Sequence, residues 1–295
     1  MLKERLLKKM FLLTLSMLII LSICTIPTIN DKNLLRTNLE IESITGLNTN
    51  NIYLLNKDNF LVKTEVFIDN KKIDNKVKDI INYLTINNSK IPKGLNGYLD
   101  KNLKILNISL EEDILEIDFS KELKEDEITI TGVVYSLLEI KGIDRVKIKK
   151  EGKDLSNYNK YLDKSIGINN KYLYHERKDI KKVVIYYLDN INNDFYFVPV
   201  TKYLSDKRDK IEIIVDELKN NKELVSVMNN KVELIEYSLD TNSMFLNFNK
   251  ELLDSNEDIT NKILDEVAYS VFESYDINTV MFEVNGKRLD YRKRN

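Results

Sequence analysis

The sequence predicts an α+β protein: two tandem copies of a small β-β-α-β-β-α-β module, each a mixed sheet with two helices on one face, preceded by an N-terminal hydrophobic helix. Three observations carry this prediction. An uncharged apolar run lies near the start, the chain repeats itself at an offset of about 133 residues, and the hydrophobic period inside each repeat alternates between about 2 and about 3.6 residues.

Lys3, Arg5, Lys8 and Lys9 precede the apolar run Met10–Ile26, and Asp31 and Lys32 restore polarity after it. About 17 residues is the short end of a bilayer-spanning helix and exceeds the apolar region of a cleaved signal peptide. The basic flank predicts a cytoplasmic N-terminus, with everything after residue 30 outside the membrane. Leu21-Ser22-Ile23-Cys24 resembles a bacterial lipobox, but Ile23 stands where a small residue belongs. An uncleaved anchor over residues 1–30 is therefore expected, with lipidation of Cys24 as the alternative. Residues 31–49 read as a linker.

The repeat is carried by segments that keep their order. Ile52-Tyr53 returns as Ile185-Tyr186, and Val62 through Ile68 corresponds to Val198 through Leu204. Leu115-Glu116-Ile117-Asp118-Phe119-Ser120-Lys121-Glu122-Leu123 returns as Met244-Phe245-Leu246-Asn247-Phe248-Asn249-Lys250-Glu251-Leu252. Tyr135-Ser136 matches Tyr269-Ser270, and Glu151-Gly152-Lys153 matches Asn285-Gly286-Lys287. The modules are placed at 50–153 and 182–289, joined by a linker at 154–181 and followed by a basic tail at 290–295.

In the first copy Ile52–Leu55 and Phe60–Ile68 read as strands. Ile73, Val77, Ile80, Ile81 and Leu84 fall on one stripe of a helix. Leu106, Ile108 and Leu110 alternate, as do Leu115, Ile117 and Phe119, predicting a hairpin that turns near Glu111–Asp113. Ile130, Val134, Leu137 and Leu138 mark a second helix, and Val146 and Ile148 a closing strand.

The second copy repeats this order: strands at Val183–Leu188 and Phe195–Leu204, then a helix carrying Ile211, Ile214, Val215 and Leu218. Pro199 suggests an edge strand, since proline cannot donate to a ladder, and Ser205 is the expected N-cap. A hairpin over Val232–Leu239 and Met244–Phe248 follows. Next come a helix with Ile259, Ile263, Val267 and Val271, and a strand with Val280, Phe282 and Val284 running into the turn Asn285-Gly286.

Composition excludes several chemistries. The chain of 295 residues carries 45 basic and 47 acidic side chains, a formal charge of -2, and so offers no basic footprint for nucleic acid. With one cysteine, Cys24, and one histidine, His175, it cannot build a four-ligand zinc site or an internal disulfide. His175 lies in the tyrosine-rich linker and reads as a solvated side chain. Glu111-Glu112-Asp113 and Glu125-Asp126-Glu127 are the candidate acid–base pairs, but each sits at a predicted turn or helix start, where acidic residues are favoured structurally. No catalytic, cofactor-binding or metal-binding residue is therefore assigned, and no small-molecule substrate is expected. Tyr158, Tyr161, Tyr172 and Tyr174 suggest that the linker packs on the modules. Arg288, Arg292, Lys293 and Arg294 read as a solvated tail, with contact to anionic lipid as the alternative.

Phe119-Ser120-Lys121-Glu122-Leu123, Val133-Val134-Tyr135-Ser136-Leu137, Ile143-Asp144-Arg145-Val146 and Glu151-Gly152-Lys153 together resemble the GerMN domain family. In the second copy Phe195-Tyr196-Phe197-Val198-Pro199-Val200-Thr201 is similar to the family's leading strand; in the first, Lys63-Thr64-Glu65 stands where its proline is expected. The resemblance implies a role in spore formation at the membranes between mother cell and forespore. It also implies likeness to ring-building modules that oligomerise around envelope channels, without catalytic residues. The expectation is a non-enzymatic assembly protein, anchored in the membrane by its N-terminal helix. Its expected partners are further copies of itself or other envelope proteins. Binding of peptidoglycan or a peptide through exposed tyrosines is the alternative.

Overall fold

The leading hairpins of the two copies meet edge to edge, and the rest of the fold is arranged around that junction. The computed structural model describes residues 49–69, 72–170, 180–220, 224–254 and 256–294. The expected anchor with Cys24, the linker before residue 49, His175, Tyr172 and Tyr174 lie outside the described residues.

Copy one comprises β1 (Thr49–Leu55), β2 (Leu61–Phe67), α1 (Ile73–Tyr83), β3 (Ile105–Glu111), β4 (Ile114–Phe119), α2 (Glu127–Leu138), β5 (Arg145–Lys150) and β6 (Lys153–Asp154). Copy two comprises β7 (Lys181–Ile191), β8 (Asp194–Leu204), α3 (Lys210–Asn220), β9 (Leu234–Leu239), β10 (Ser243–Phe248), α4 (Glu257–Ser274), β11 (Thr279–Val284) and β12 (Lys287–Lys293). The predicted tandem α+β architecture is present, with one more strand per copy, β6 and β12. Both added strands return through the same turn. Glu151-Gly152 and Asn285-Gly286 each place two consecutive residues at positive φ (50° and 77°, 49° and 73°), the conformation of a two-residue hairpin loop that follows strand twist.

The strands of a copy do not form one sheet. The leading hairpins unite in a shared sheet of order β1-β2-β8-β7, and each copy builds its own mixed sheet, β3-β4-β5-β6 or β12-β11-β10-β9. This division explains why α2 is buried all round, from Thr129 to Leu137, and not only at the Ile130, Val134 and Leu137 that marked it in the sequence. β1 packs on one side of it and β5 on another. Asp126 caps α2, its carboxylate accepting from the Thr129 N–H at 2.9 Å and the Thr129 hydroxyl at 3.0 Å. That accounts for one acidic cluster; the other forms the β3–β4 turn, with Glu112 at φ 55°.

Four expectations need correction. Pro199 lies on an internal strand, since β8 sits between β2 and β7. Ser205 does not cap α3: the helix starts at Lys210, and Glu212 reaches back to accept from the Asp209 N–H at 2.9 Å. Leu106 is not an inward residue of its hairpin. A bulge between Ile105 and Asn107 throws it out to 52% exposure, and Leu110 stays 40% exposed at the sheet's rim. The basic tail is ordered structure. Residues 290–293 belong to β12, Arg292 pairs with Asp265 and Asp290, and Arg294 donates to the Phe272 and Tyr275 carbonyls at the end of α4.

Candidate functional site at the junction of the modules

The shared sheet is joined by one registered pair, Lys63 of β2 with Phe197 of β8. Extending that register by two residues sets Leu61 opposite Pro199, which has no N–H to continue the ladder. The Asn169 side chain fills the gap. Its Oδ1 accepts from the Leu61 N–H at 2.7 Å, and its Nδ2 donates to the Leu61 carbonyl at 2.8 Å and the Pro199 carbonyl at 2.7 Å. Asn169 adopts φ 52°, a left-handed conformation that asparagine tolerates better than most side chains. The described part of the inter-copy segment, residues 154–170, is thus packed against the modules; of the tyrosines expected to hold it, Tyr158 packs on the core and Tyr161 is exposed. Leu155, Leu162 and Ile168 are buried, and Ile168 and Thr201 exchange hydrogen bonds at 2.9 Å.

The junction reads out the sequence repeat. The Ser136 hydroxyl accepts from the Tyr53 N–H at 3.0 Å and donates to the Gly132 carbonyl at 2.7 Å. Ser270 does the same with Tyr186 and the Glu266 carbonyl, at 2.8 and 2.6 Å. Each serine occupies an otherwise open edge N–H of the shared sheet and ties it to the helix behind. Tyr53 stacks edge-on against Tyr135 at 5.4 Å, and Tyr186 lies 5.6 Å from Tyr269.

A half-open groove of about 1370 Å³ runs along this junction. On its floor Lys164, from the inter-copy segment, sits between two equivalent glutamates: Glu139 at 3.2 Å from the end of α2 and Glu273 at 2.5 Å from the end of α4. Lys63 adds a second cation to Glu139 at 3.3 Å and lies 5.3 Å from the centre of the Tyr269 ring. The hydroxyls of Tyr53 and Tyr186 donate to Glu139 and Glu273 at 3.2 and 3.4 Å. Lys63 stands where the second copy carries Pro199; here it supplies the backbone pair to Phe197, an ion pair to Glu139 of its own copy and a cation–ring contact across the junction to Tyr269.

Burial pushes the Glu139 carboxyl up, but the charges and hydrogen bonds of Lys63 and Lys164 outweigh it and hold the group below its ordinary value. Burial likewise lowers Lys164, and Glu273 and Glu139 outweigh it, leaving the ammonium raised. Both shifts describe a charge network that is stable as ions across neutral pH. Sequence reasoning missed it because Lys164, Glu139 and Glu273 carry no motif. The one available signal was that Glu139 and Glu273 share an offset of 134 with Tyr135 and Tyr269.

The candidate acid–base clusters are held in structural pairs, Asp113 with Arg145 at 3.3 Å and Glu125 with Lys150 at 3.2 Å. Among the described residues, no group of three or more His, Cys, Asp or Glu is placed to hold a metal ion. Among the same residues, no helix is long and apolar enough to cross a membrane. Of the tyrosines offered for polymer binding, Tyr53, Tyr135, Tyr186 and Tyr187 are fully buried, while Tyr161 and Tyr291 are exposed.

Comparison with known proteins agrees with this architecture. The chain is similar in fold to the tandem GerMN domains of the sporulation protein GerM from Bacillus subtilis, with a TM-score of 0.73 and 21% identity over 85% of this chain and 98% of that one. The first GerMN domain of the same Bacillus subtilis protein, taken alone, matches 40% of this chain and 98% of its own length, at 22% identity and a TM-score of 0.36. No curated protein matches the sequence significantly. The family model described as Germane, sporulation and spore germination, matches residues 51–156 and 184–290, one match per copy. The chain therefore belongs to the Germane (GerMN) family of sporulation and spore-germination domains, and carries that domain twice.

Proposed function

We propose that this chain is a non-enzymatic assembly protein, held at a membrane by its N-terminal segment. It organises envelope components outside that membrane between mother cell and forespore, and spore formation and later germination depend on it. The observation that carries this reading is the use made of the junction's charged groups. Lys63, Lys164, Glu139 and Glu273 are engaged with one another across the two modules. They fix one module against the other, so these four charges serve the junction. A rigid double module with open sheet edges is suited to building a larger structure. The family supports the setting, sporulation and germination, and the basic-then-apolar N-terminus supports the tether.

A fluorescent fusion of the full chain, followed through sporulation beside a deletion strain, tests this reading. It predicts enrichment at the membranes between mother cell and forespore, dispersal when residues 1–30 are replaced by a soluble leader, and a fall in viable germinating spores on deletion. Diffuse cytoplasmic signal with normal spore yield would overturn it.

A further inference from the structure

The fold closes three of its six sheet edges. β1 is covered by Ser136 and by Asn96, which exchanges hydrogen bonds with Leu55 at 2.9 and 2.8 Å. β7 is covered by Ser270 and by the Val225 carbonyl, which accepts from Leu188 at 2.9 Å. In copy one, Leu162 of the inter-copy segment pairs with Val146 on the free side of β5, and β6 is only two residues long. Copy two treats its sheet differently. Among the described residues, both outer strands, β9 and β12, have no strand or bridge partner on their outer side, and the seven-residue β12 replaces the two-residue β6.

These two open edges carry opposite charge. β9 is bounded by the exposed acids Glu233, Glu236 and Asp240; β12 presents the exposed bases Lys287, Arg288 and Lys293. None of the six forms an ion pair among the described residues. Each edge also has a bulge that turns out an apolar side chain, Ile235 at 54% and Leu289 at 38% exposure. β3, the copy-one equivalent of β9, keeps the bulge but has Lys104 and Asn107 where β9 has Glu233 and Glu236. Two of the three acids are therefore particular to the module that also owns the basic edge, while Glu111 of copy one keeps the place of Asp240.

We propose, resting on the assembly reading above, that copies of this chain join head to tail, the β12 edge of one pairing with the β9 edge of the next. β10 and β11 are parallel, and β9 and β12 are each antiparallel to their inner neighbour. β9 and β12 therefore run the same way, and placing sheets side by side sets β12 of one copy parallel to β9 of its neighbour. With Lys287 level with Glu233, the bulged Leu289 and Ile235 share a level and Lys293 falls beside Leu239 and Asp240. Opposite charges meet at both ends of the contact and Ile235 meets Leu289 between them; the one like-charged level, Glu236 beside Asp290, is offset by the Arg292 guanidinium that Asp290 already holds. The contact is heterologous, so each added copy offers a fresh β9 or β12 to the next and the series ends only by closing into a ring.

The test is sedimentation velocity of the full chain in detergent micelles at low salt, on two charge-reversed variants whose unchanged thermal unfolding shows an intact fold. One carries Glu233→Lys, Glu236→Lys and Asp240→Lys; the other carries Lys287→Glu, Arg288→Glu and Lys293→Glu. Each alone should lose self-association by at least about ten-fold, and mixing the two should restore it, because each then supplies the edge the other has inverted. An Ile235→Cys chain mixed with a Leu289→Cys chain, both in a Cys24→Ser background, should form the mixed disulfide in preference to either homodimer. Variants that associate as the parent does would overturn the edge contact and leave the assembly reading standing. A parent that associates only with other envelope proteins would do the same. A parent that stays monomeric, alone and with envelope proteins, would overturn both.

Discussion

Glu266 should make copy two lose stability as pH rises, and Glu266→Gln should remove that loss. The side chain is 0% exposed on α4. Its Oε2 accepts from the Ser226 hydroxyl at 3.1 Å, while Oε1 has no hydrogen-bond partner among the described residues. Burial raises the carboxyl from 4.5 to about 8, opposed only in part by Ser226 and the Val227 N–H. A carboxyl raised on folding contributes fully below its unfolded value and loses that contribution as pH climbs toward the folded one. Across that window the linkage amounts to about 5 kcal/mol, with about 3 kcal/mol already lost at pH 7 and under about 1 kcal/mol at pH 5. Glutamine keeps the shape and the Ser226 contact but cannot ionise. Urea unfolding of parent and variant at pH 5, 7 and 8.5 should show near-equal stability at pH 5 and a gap that widens with pH. In a unit of this size the gap at pH 7 corresponds to a Tm higher by about 6–12 °C. A gap of the same size at pH 5 and pH 8.5, or a parent that gains stability with pH over that range, would refute the reasoning.

Three further outcomes follow from the junction and the helix packing. Lys164→Met removes the cation that Glu139 and Glu273 share and leaves Lys63 on Glu139 alone, and should cost about 3 kcal/mol by chemical denaturation, with part of the loss recovered on adding Glu273→Gln. Because Glu139 is held below its ordinary value, its share of stability is present above the usual carboxylate range and is lost as pH falls through the lowered value, the opposite sense to Glu266. Asn169→Ala removes three backbone partners at once and should cost about 2–4 kcal/mol, whereas mutation of the neighbouring exposed Ser165 to Ala should change stability by less than about 0.5 kcal/mol. Gly132→Ala, which in an open helix position would stabilise, should instead cost about 1–3 kcal/mol, since the added carbon would lie 2.2 Å from the Tyr98 hydroxyl oxygen; a Tm at or above the parent's would contradict that packing.

The periods that marked the strands and helices were readable because each apolar residue faces a core, and Leu115, Ile117 and Phe119 with their counterparts Met244, Leu246 and Phe248 are all buried. Tyr135-Ser136 and Tyr269-Ser270 were visible as repeat marks before their purpose was. Their serines close the edge of a sheet whose strands come from far away in sequence, a relation no local pattern carries. The division into three sheets was hidden for the same reason, because β2 and β8 lie more than a hundred residues apart. Pro199 was read by the correct rule, that a proline ends a ladder, but the strand is internal because Asn169 supplies the missing partner. Leu106 misled because a bulge breaks the period of two at one residue, and the basic terminus misled because its charges outweighed a strand pattern broken by the bulge at Leu289. The GerMN resemblance was legible from the order of short segments. The Lys164 junction was not, since its members become neighbours only after both copies have folded.

The central claim is that the duplication forms one rigid body joined through Lys63–Phe197, Asn169 and Lys164, and not two independent beads. A protease site engineered between Asn170 and Ile180, cut after folding, tests it most directly. The account predicts that the two fragments co-elute as one particle and that their unfolding, followed by probes placed in each copy, remains a single coincident transition. Fragments that separate on a sizing column and unfold at two different denaturant concentrations would contradict it.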